Sequence, residues 1–246
     1  MRIFRQQVHY DDDKRLARLL GLQRGEVENF DVFVTELWEG NLNKESMGFT
    51  REQSIDICKQ LLQGLQQLET SDKCHNDLKP ENILTRTTDE KYENGEKKVE
   101  IVIGDFGTAD RSGGTPGWTW PRFLTEREPG RSDMHSCGLM ILYVMCDRRE
   151  LFYRLRDNYV KPEEDWLMKF RTEEPLIEFV SKMMKLEFSV REAIAKWDEI
   201  SDYVYFLNSS SIQKEYQIPT WSSCLAVQDN MDQNTINMAD ATLLDK

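Results

Sequence analysis

The run His75-Asn76-Asp77-Leu78-Lys79-Pro80-Glu81-Asn82 sets a carboxylate, an ammonium group and a carboxamide on one tight loop. Transfer of a phosphoryl group to a hydroxyl needs a carboxylate to orient the hydroxyl and take its proton, a cation on the phosphate, and oxygen ligands for magnesium. Asp77, Lys79 and Asn82 are residues of those three kinds. A second run, Gly104-Asp105-Phe106-Gly107, follows an expected strand and offers another hard oxygen ligand where that strand ends. With Asn82 it would complete a magnesium site. Either run alone carries little weight, because an Asp-Phe-Gly turn or a His-x-Asp pair is common in loops with no catalytic duty.

The elements around the two runs must bring them together. Thr50 with Gln53 forms a capping box, and Cys58, Leu61, Leu62, Leu65 and Leu68 recur at helical spacing. That pattern predicts a helix over about 50–68 with one apolar face to bury. Residues 82–85 and 99–103 read as two short strands joined by a solvated polar loop over 87–98. Ahead of them, 16–22 and 31–37 suggest a hairpin-like pair, after which Glu39-Gly40-Asn41 breaks the pattern. Asp133 is placed to cap a helix through about Met145 that is apolar nearly all round, and hence buried in the middle of a domain. Amphipathic helices are expected around 163–170, 175–185 and 190–197. After Leu207 the composition turns to Ser, Gln, Asn and Asp, as in a mobile tail.

Taken in order, the two runs resemble the H-R-D-L-x-x-x-N and D-F-G signatures of protein kinases. Gly114-Thr115-Pro116-Gly117-Trp118 resembles the family's substrate-receiving loop, and Asp133-Met134-His135-Ser136-Cys137-Gly138 the start of its central helix. Phe33-Val34-Thr35-Glu36-Leu37-Trp38-Glu39-Gly40 resembles the hinge between lobes, and Arg191 with Ala193 and Trp197 the last helix of the large lobe. The likeness covers about 1–197. It implies an α+β, protein-kinase-like fold, mainly the helical C-terminal lobe with a remnant of the small-lobe sheet. The implied division is a small-lobe remnant over 1–35, hinge and large lobe over 36–206, and a flexible tail over 207–246.

By the same resemblance Asp77 is the catalytic base, Lys79 contacts the transferred phosphate and marks the serine/threonine type, and Asn82 and Asp105 hold Mg2+. Thr35 falls at the gatekeeper position, the Glu36 and Trp38 backbones lie on the adenine of ATP, and Leu84 forms the floor beneath it. Thr35, Trp38 and Leu84 are equally ordinary as core or surface residues. The Thr115 hydroxyl helps to position Lys79. His75 is expected to pack beneath the Asp-Phe-Gly turn without proton chemistry, and His135 to be a core histidine.

Three departures from the family pattern stand out. No G-x-G-x-x-G run or strand lysine precedes the hinge, and Lys14 sits in a turn beside Asp11-Asp12-Asp13. Ile3-Phe4-Arg5 resembles the end of the regulatory helix, so the phosphate-covering elements fall before Met1. The chain is therefore expected to be a fragment or truncated product, inactive or nearly so by itself. Asn76 stands in place of the arginine that clamps a phosphorylated activation loop. Trp120-Pro121-Arg122 stands in place of A-P-E, so either another carboxylate, with Glu126 and Glu128 the candidates, neutralises Arg191 or that contact is lost.

Composition narrows the functional classes. A net charge of -12 over 246 residues disfavours nucleic acid or an anionic membrane as partner and suits a basic protein segment carrying the Ser or Thr acceptor. The five cysteines, Cys58, Cys74, Cys137, Cys146 and Cys224, are scattered without a C-x-x-C pair, which fits a reducing cytoplasmic or nuclear setting. The first reading is an ATP- and magnesium-dependent protein serine/threonine kinase. The second is a pseudokinase or truncated interaction scaffold. A small-molecule phosphotransferase of the aminoglycoside or choline kinase kind ranks third, because Lys79, Pro116-Gly117 and the 133–138 run belong to proteins that dock peptides.

Overall fold

A reciprocal capping box starts the longest of the described helices. Thr50 Oγ1 accepts the Gln53 N–H at 3.4 Å, and Gln53 Oε1 accepts the Thr50 N–H at 2.9 Å. Two donors that the first turn cannot pair internally are thereby satisfied. The helix, α2, runs Arg51–Thr70 and buries Ile57, Cys58, Leu61, Leu62, Leu65 and Leu68 on one face. It follows the single turn α1, Leu42–Glu45. The computed structural model describes residues 15–17, 19–24, 31–45, 48–109, 114–119, 131–146, 152 and 175–207, all within the unit Met1–Ile212. The expected helix over 163–170 and the expected tail lie outside the described residues.

Two antiparallel sheets accompany the helices. β1, Leu19–Arg24, pairs with β2, Asp31–Thr35, as the hairpin-like pattern predicts. Leu16, however, does not belong to that hairpin. It bridges in parallel to Ile103, with Ala17 N–H donating to Ile103 O and Ile103 N–H to Arg15 O, each at 2.7 Å. The backbone of Ile103 is buried at the sheet edge, and an unpaired edge there would be costly.

The second sheet orders β3, Gly40–Asn41, beside β4, Ile83–Lys91, beside β5, Lys97–Ile103. The polar stretch expected to be a loop over 87–98 is therefore mostly strand. Past Thr87 the hairpin is largely exposed on both sides, so it carries no apolar alternation. Cross-strand ion pairs Lys97–Asp89 at 3.3 Å and Lys98–Glu90 at 3.0 Å do the pairing instead. Only the tip turns, with Gly95 at φ 85° and its N–H on Tyr92 O. Tyr92 pins the tip to α2 through a 2.9 Å hydrogen bond to Asp56.

Helix α3, Arg131–Val144, is buried without a break from Ser132 to Cys146. A helix apolar all round is stable only when surrounded, and α3 packs against α2 and against α4, Pro175–Met184. Gly138 permits the second contact, since a Cβ there would meet Met183 Cβ at 3.2 Å. A second capping box, Ser189 with Glu192, starts α5, Val190–Ile200, whose Trp197 is buried against Phe179. Arg191 is exposed on α5, and no ion pair to it is formed among the described residues. The partners proposed for it, Glu126 and Glu128, lie outside the described residues.

Between Val99 and Ile101 the outer edge of β5 is completed by a side chain. Gln60 of α2 donates to Val99 O at 2.8 Å and accepts the Ile101 N–H at 2.9 Å. The Gln60→Leu variant strands both backbone groups in the core, at about 1–3 kcal/mol for each. A chemical denaturation midpoint lowered accordingly, with an unchanged slope, is the expected result.

Candidate active site

The loop between α2 and β4 begins where Asp72 adopts a left-handed φ of 53° just past the helix end. Two residues then fasten it from below. Asp133, in the first turn of α3, is 1% exposed and accepts the N–H of His75 on one oxygen and of Asn76 on the other, both at 2.7 Å. Asp133 is thus an anchor for the loop, and it stands in the third position of its helix, inside the first turn. A buried carboxylate needs charge-assisted donors. Asn76, at φ 67°, takes the left-handed conformation that asparagine tolerates, and this turns both N–H groups toward Asp133.

His75 is fully buried beneath the second run. Its ring lies edge-on to Phe106 at 5.1 Å, Nε2 is 2.8 Å from Gly104 O, and Nδ1 accepts the Asp77 N–H at 3.2 Å. Both bonds are satisfied by one tautomer, with the proton on Nε2. His75 therefore ties the two runs together, in the packing role expected of it. His135 is a core histidine as well, lowered to about 4 by burial, against which a bond to Met184 O works.

At the surface of this support the polar groups converge. Lys79 Nζ donates to Asp77 Oδ2 at 2.8 Å and to Thr115 Oγ1 at 2.7 Å, while Thr115 donates to Asp77 Oδ1 at 2.6 Å. Asn82 gives its amide nitrogen to Asp77 O at 2.8 Å, with Asp77 Oδ2 at 3.3 Å. Burial pushes the Asp77 carboxyl up, but the hydrogen bonds from Lys79 and Thr115 and the Lys79 charge outweigh it. The group is held below the ordinary carboxylate range.

The β4–β5 hairpin carries the second run to the first. Ile83 stands opposite Ile103, and Gly104 N–H donates to Asn82 O at 2.8 Å. Asp105 follows in the left-handed region at φ 54°, exposed, with Oδ1 accepting the Gly107 N–H at 3.3 Å. With the Asn82 amide nitrogen spent on Asp77, its oxygen is the atom left for a cation. Asn82 and Asp105 together thus offer hard oxygen donors of the kind magnesium takes.

The remaining predicted residues lie along β2, β3 and β4. Leu84 packs against Gly104, where a Cβ would come within 3.1 Å of Leu84 Cδ1. Asn41 pairs with Leu84 and Gly40 with Thr85, which brings the stretch after β2 to the sheet beside the site. Glu36 and Trp38 meet β4 through Arg86, whereas Thr35 is exposed with its hydroxyl on Glu36 O. No hydrogen bond joins Thr35 to the Asp77 cluster among the described residues.

Sequence reasoning missed the anchoring role of Asp133, though an acidic residue inside an otherwise apolar helix was a sign that it needed partners. It also missed Gly114, at φ 140°, where a Cβ would lie 2.8 Å from Asn76 O and would overlap Thr119 Oγ1. That glycine lets Thr115 reach Asp77. A cavity of about 390 Å³ lies behind the loop, lined by Leu65, Leu68, Cys74, Met134 and Phe188, and meets the site through Asp133. Among the described residues no helix is long and apolar enough to cross a membrane.

The Thr115→Ala variant removes one of the bonds that keep Asp77 ionised, so its carboxyl is expected to titrate closer to the unperturbed value of about 3.9. A folded pKa below the unfolded one contributes stability that is complete above the unfolded pKa and lost as pH falls through the folded pKa. The variant narrows that acid window. Carbon-detected NMR of the Asp77 carboxyl reads the midpoint, and an unchanged value would leave Lys79 as its determinant.

The comparisons with known proteins agree with this geometry. A calcium/calmodulin-dependent protein kinase type 1 from Macrobrachium nipponense is 28% identical over 146 residues, 56% of this chain and 37% of that protein. A probable myosin light chain kinase from Dictyostelium discoideum is 27% identical over 176 residues, 64% and 41% of the two chains. A DNA damage response protein kinase from Saccharomyces cerevisiae is 29% identical over 130 residues, 45% and 25%. The chain thus spans less than half the length of these relatives. The model of the protein kinase domain matches residues 26–206, most of the sequence, and the chain belongs to the protein kinase domain family.

Proposed function

We propose that this kinase-family chain carries the catalytic-loop residues of an enzyme that transfers the γ-phosphoryl group of ATP to a serine or threonine hydroxyl of a protein substrate. The observation that carries the reading is the closed set of contacts among Asp77, Lys79, Thr115 and Asn82. Asp77 is an anion held in place by three donors, poised to orient a hydroxyl and accept its proton. Lys79 has a third N–H beyond those given to Asp77 and Thr115, and that donor is the one for a phosphate oxygen. Thr115 belongs to the loop that receives the substrate, so its hydroxyl links acceptor binding to the position of both charged groups.

Asn82 and Asp105 would hold magnesium, which when bound neutralises charge on the phosphates. The Glu36 and Trp38 backbones and the Leu84 side chain would receive adenine, with Thr35 at the gatekeeper position. Lys79, Pro116 and Gly117 favour a peptide over a small alcohol as acceptor. The similarity to kinases of the calmodulin-dependent and myosin light chain groups supports the serine/threonine assignment.

The test is a fluorescent-ATP titration of the full chain with and without magnesium, which reads the site even where turnover is slow. Asp105→Asn is expected to lose the magnesium-dependent part of the affinity, while Asp77→Asn keeps it. Where turnover of labelled ATP onto a generic basic protein is measurable, Asp77→Asn should lower it roughly 10²- to 10⁴-fold. Equal affinity losses in the two variants would overturn the role assignment. Phosphorylation of amino-alcohols in preference to protein would overturn the substrate class.

A further inference from the structure

We propose that Arg86 is a positioning residue for the adenine half of the nucleotide site, a clamp that fixes the backbone of residues 36–38 against the β4–β5 hairpin. The proposal rests on the kinase reading given above. Arg86 projects from β4 with its guanidinium carbon 4.4 Å from the centre of the Trp38 ring. In the same pose Nε donates to Glu100 Oε2 of β5 at 2.7 Å, and Nη1 lies 3.8 Å from Glu36 Oε2. A planar guanidinium can stack on a ring and use its edge for carboxylates at once, which an ammonium cannot.

The clamp continues into the large lobe. The other oxygen of Glu100 is 3.8 Å from Arg15 Nη1, and Arg15 is held to α2 by its N–H on Gln67 Oε1 at 2.8 Å and its Nε on Gln63 Oε1 at 3.1 Å. Side chains thus run without interruption from α2 through Arg15, Glu100 and Arg86 to residues 36 and 38.

The geometry of that stretch explains why it needs holding. Strand pairing with β4 begins only at Glu39, whose N–H donates to Thr85 O at 3.1 Å, and at Gly40 opposite Thr85. Just before it, Leu37 is 94% exposed and anchors nothing, while residues 36 and 38 on either side both reach Arg86. Among the described residues the buried Trp38 indole N–H has no hydrogen-bond partner, and the Arg86 guanidinium over its face is the polar contact described for the ring. Arg86, Glu36 and Glu100 are each about a third exposed and therefore partly screened. The consequence belongs in nucleotide affinity more than in folding.

The experiment titrates the full chain with an N-methylanthraniloyl-ATP probe, in magnesium and separately in EDTA, and records thermal unfolding of the same samples. Arg86→Ala is expected to weaken binding roughly threefold to tenfold, the range for loss of a partly exposed stack and ion pair together. The factor should be the same in both buffers, because the adenine side is affected and the metal side is not. Arg86→Lys, which keeps the charge but cannot stack and pair at once, should recover only part of the loss. Glu36→Gln, which breaks one arm with little threat to folding, should show a smaller loss of the same kind and keeps the test open if Arg86→Ala unfolds. Unmutated affinity in folded Arg86→Ala, a lowered melting temperature without an affinity change, or a loss seen only with magnesium would each overturn the clamp. Failure of the unmutated chain to bind the probe in either buffer would overturn the nucleotide reading and the clamp with it.

Discussion

Removing a carboxylate from water costs several kcal/mol unless donors meet its oxygens, and Asp133 is met by the backbone N–H groups of His75 and Asn76. The bond works in both directions. It satisfies the charge inside α3, and it fixes the two residues just ahead of Asp77 in a conformation that the loop would not hold alone. The directions of the Asp77, Lys79 and Asn82 side chains follow from that one attachment, because they hang from a backbone whose start is pinned to the most deeply buried helix described.

A second constraint acts from the side. The β4–β5 ladder starts at the Ile83–Ile103 pair, so the residues before β4 and after β5 emerge next to each other. His75 closes the gap from below by bonding Gly104 O and packing on Phe106. Thr115 closes it from above, and its loop is held by Trp118, which stacks on Phe152 and whose carbonyl accepts from Ser136 of α3. Helix α3 thus supports the site twice, through a carboxylate and through a hydroxyl.

Much of this was legible in the sequence where the signal was local. The α2 capping box and apolar stripe gave its start to the residue and its end to within two. The paired runs gave the family, since both consist of residues whose types and order match its signatures. What was not legible depended on partners distant in the chain. The polar hairpin past Thr87 carried no alternation because neither face is buried, and its cross-strand ion pairs cannot be seen before the register is known. Asp133 looked like a cap because caps are the common use of an aspartate near a helix start. Gln60 and Arg86 gave no signal at all, because a glutamine on an apolar face and an arginine in a strand acquire meaning only from the backbone edge and the ring they meet.

The two attachments of the loop over 75–82 differ in how far along the chain they reach, and this sets an order of assembly. The hairpin that joins the two runs closes between neighbours in sequence, and contacts of that kind form early. The anchor at Asp133 spans 58 residues to His75. While the chain leaves the ribosome, both signature runs are therefore exposed and paired well before α3 exists to set their side chains. A polypeptide ended ahead of Arg131 would carry every residue assigned to the chemistry and still lack the support that makes them a site.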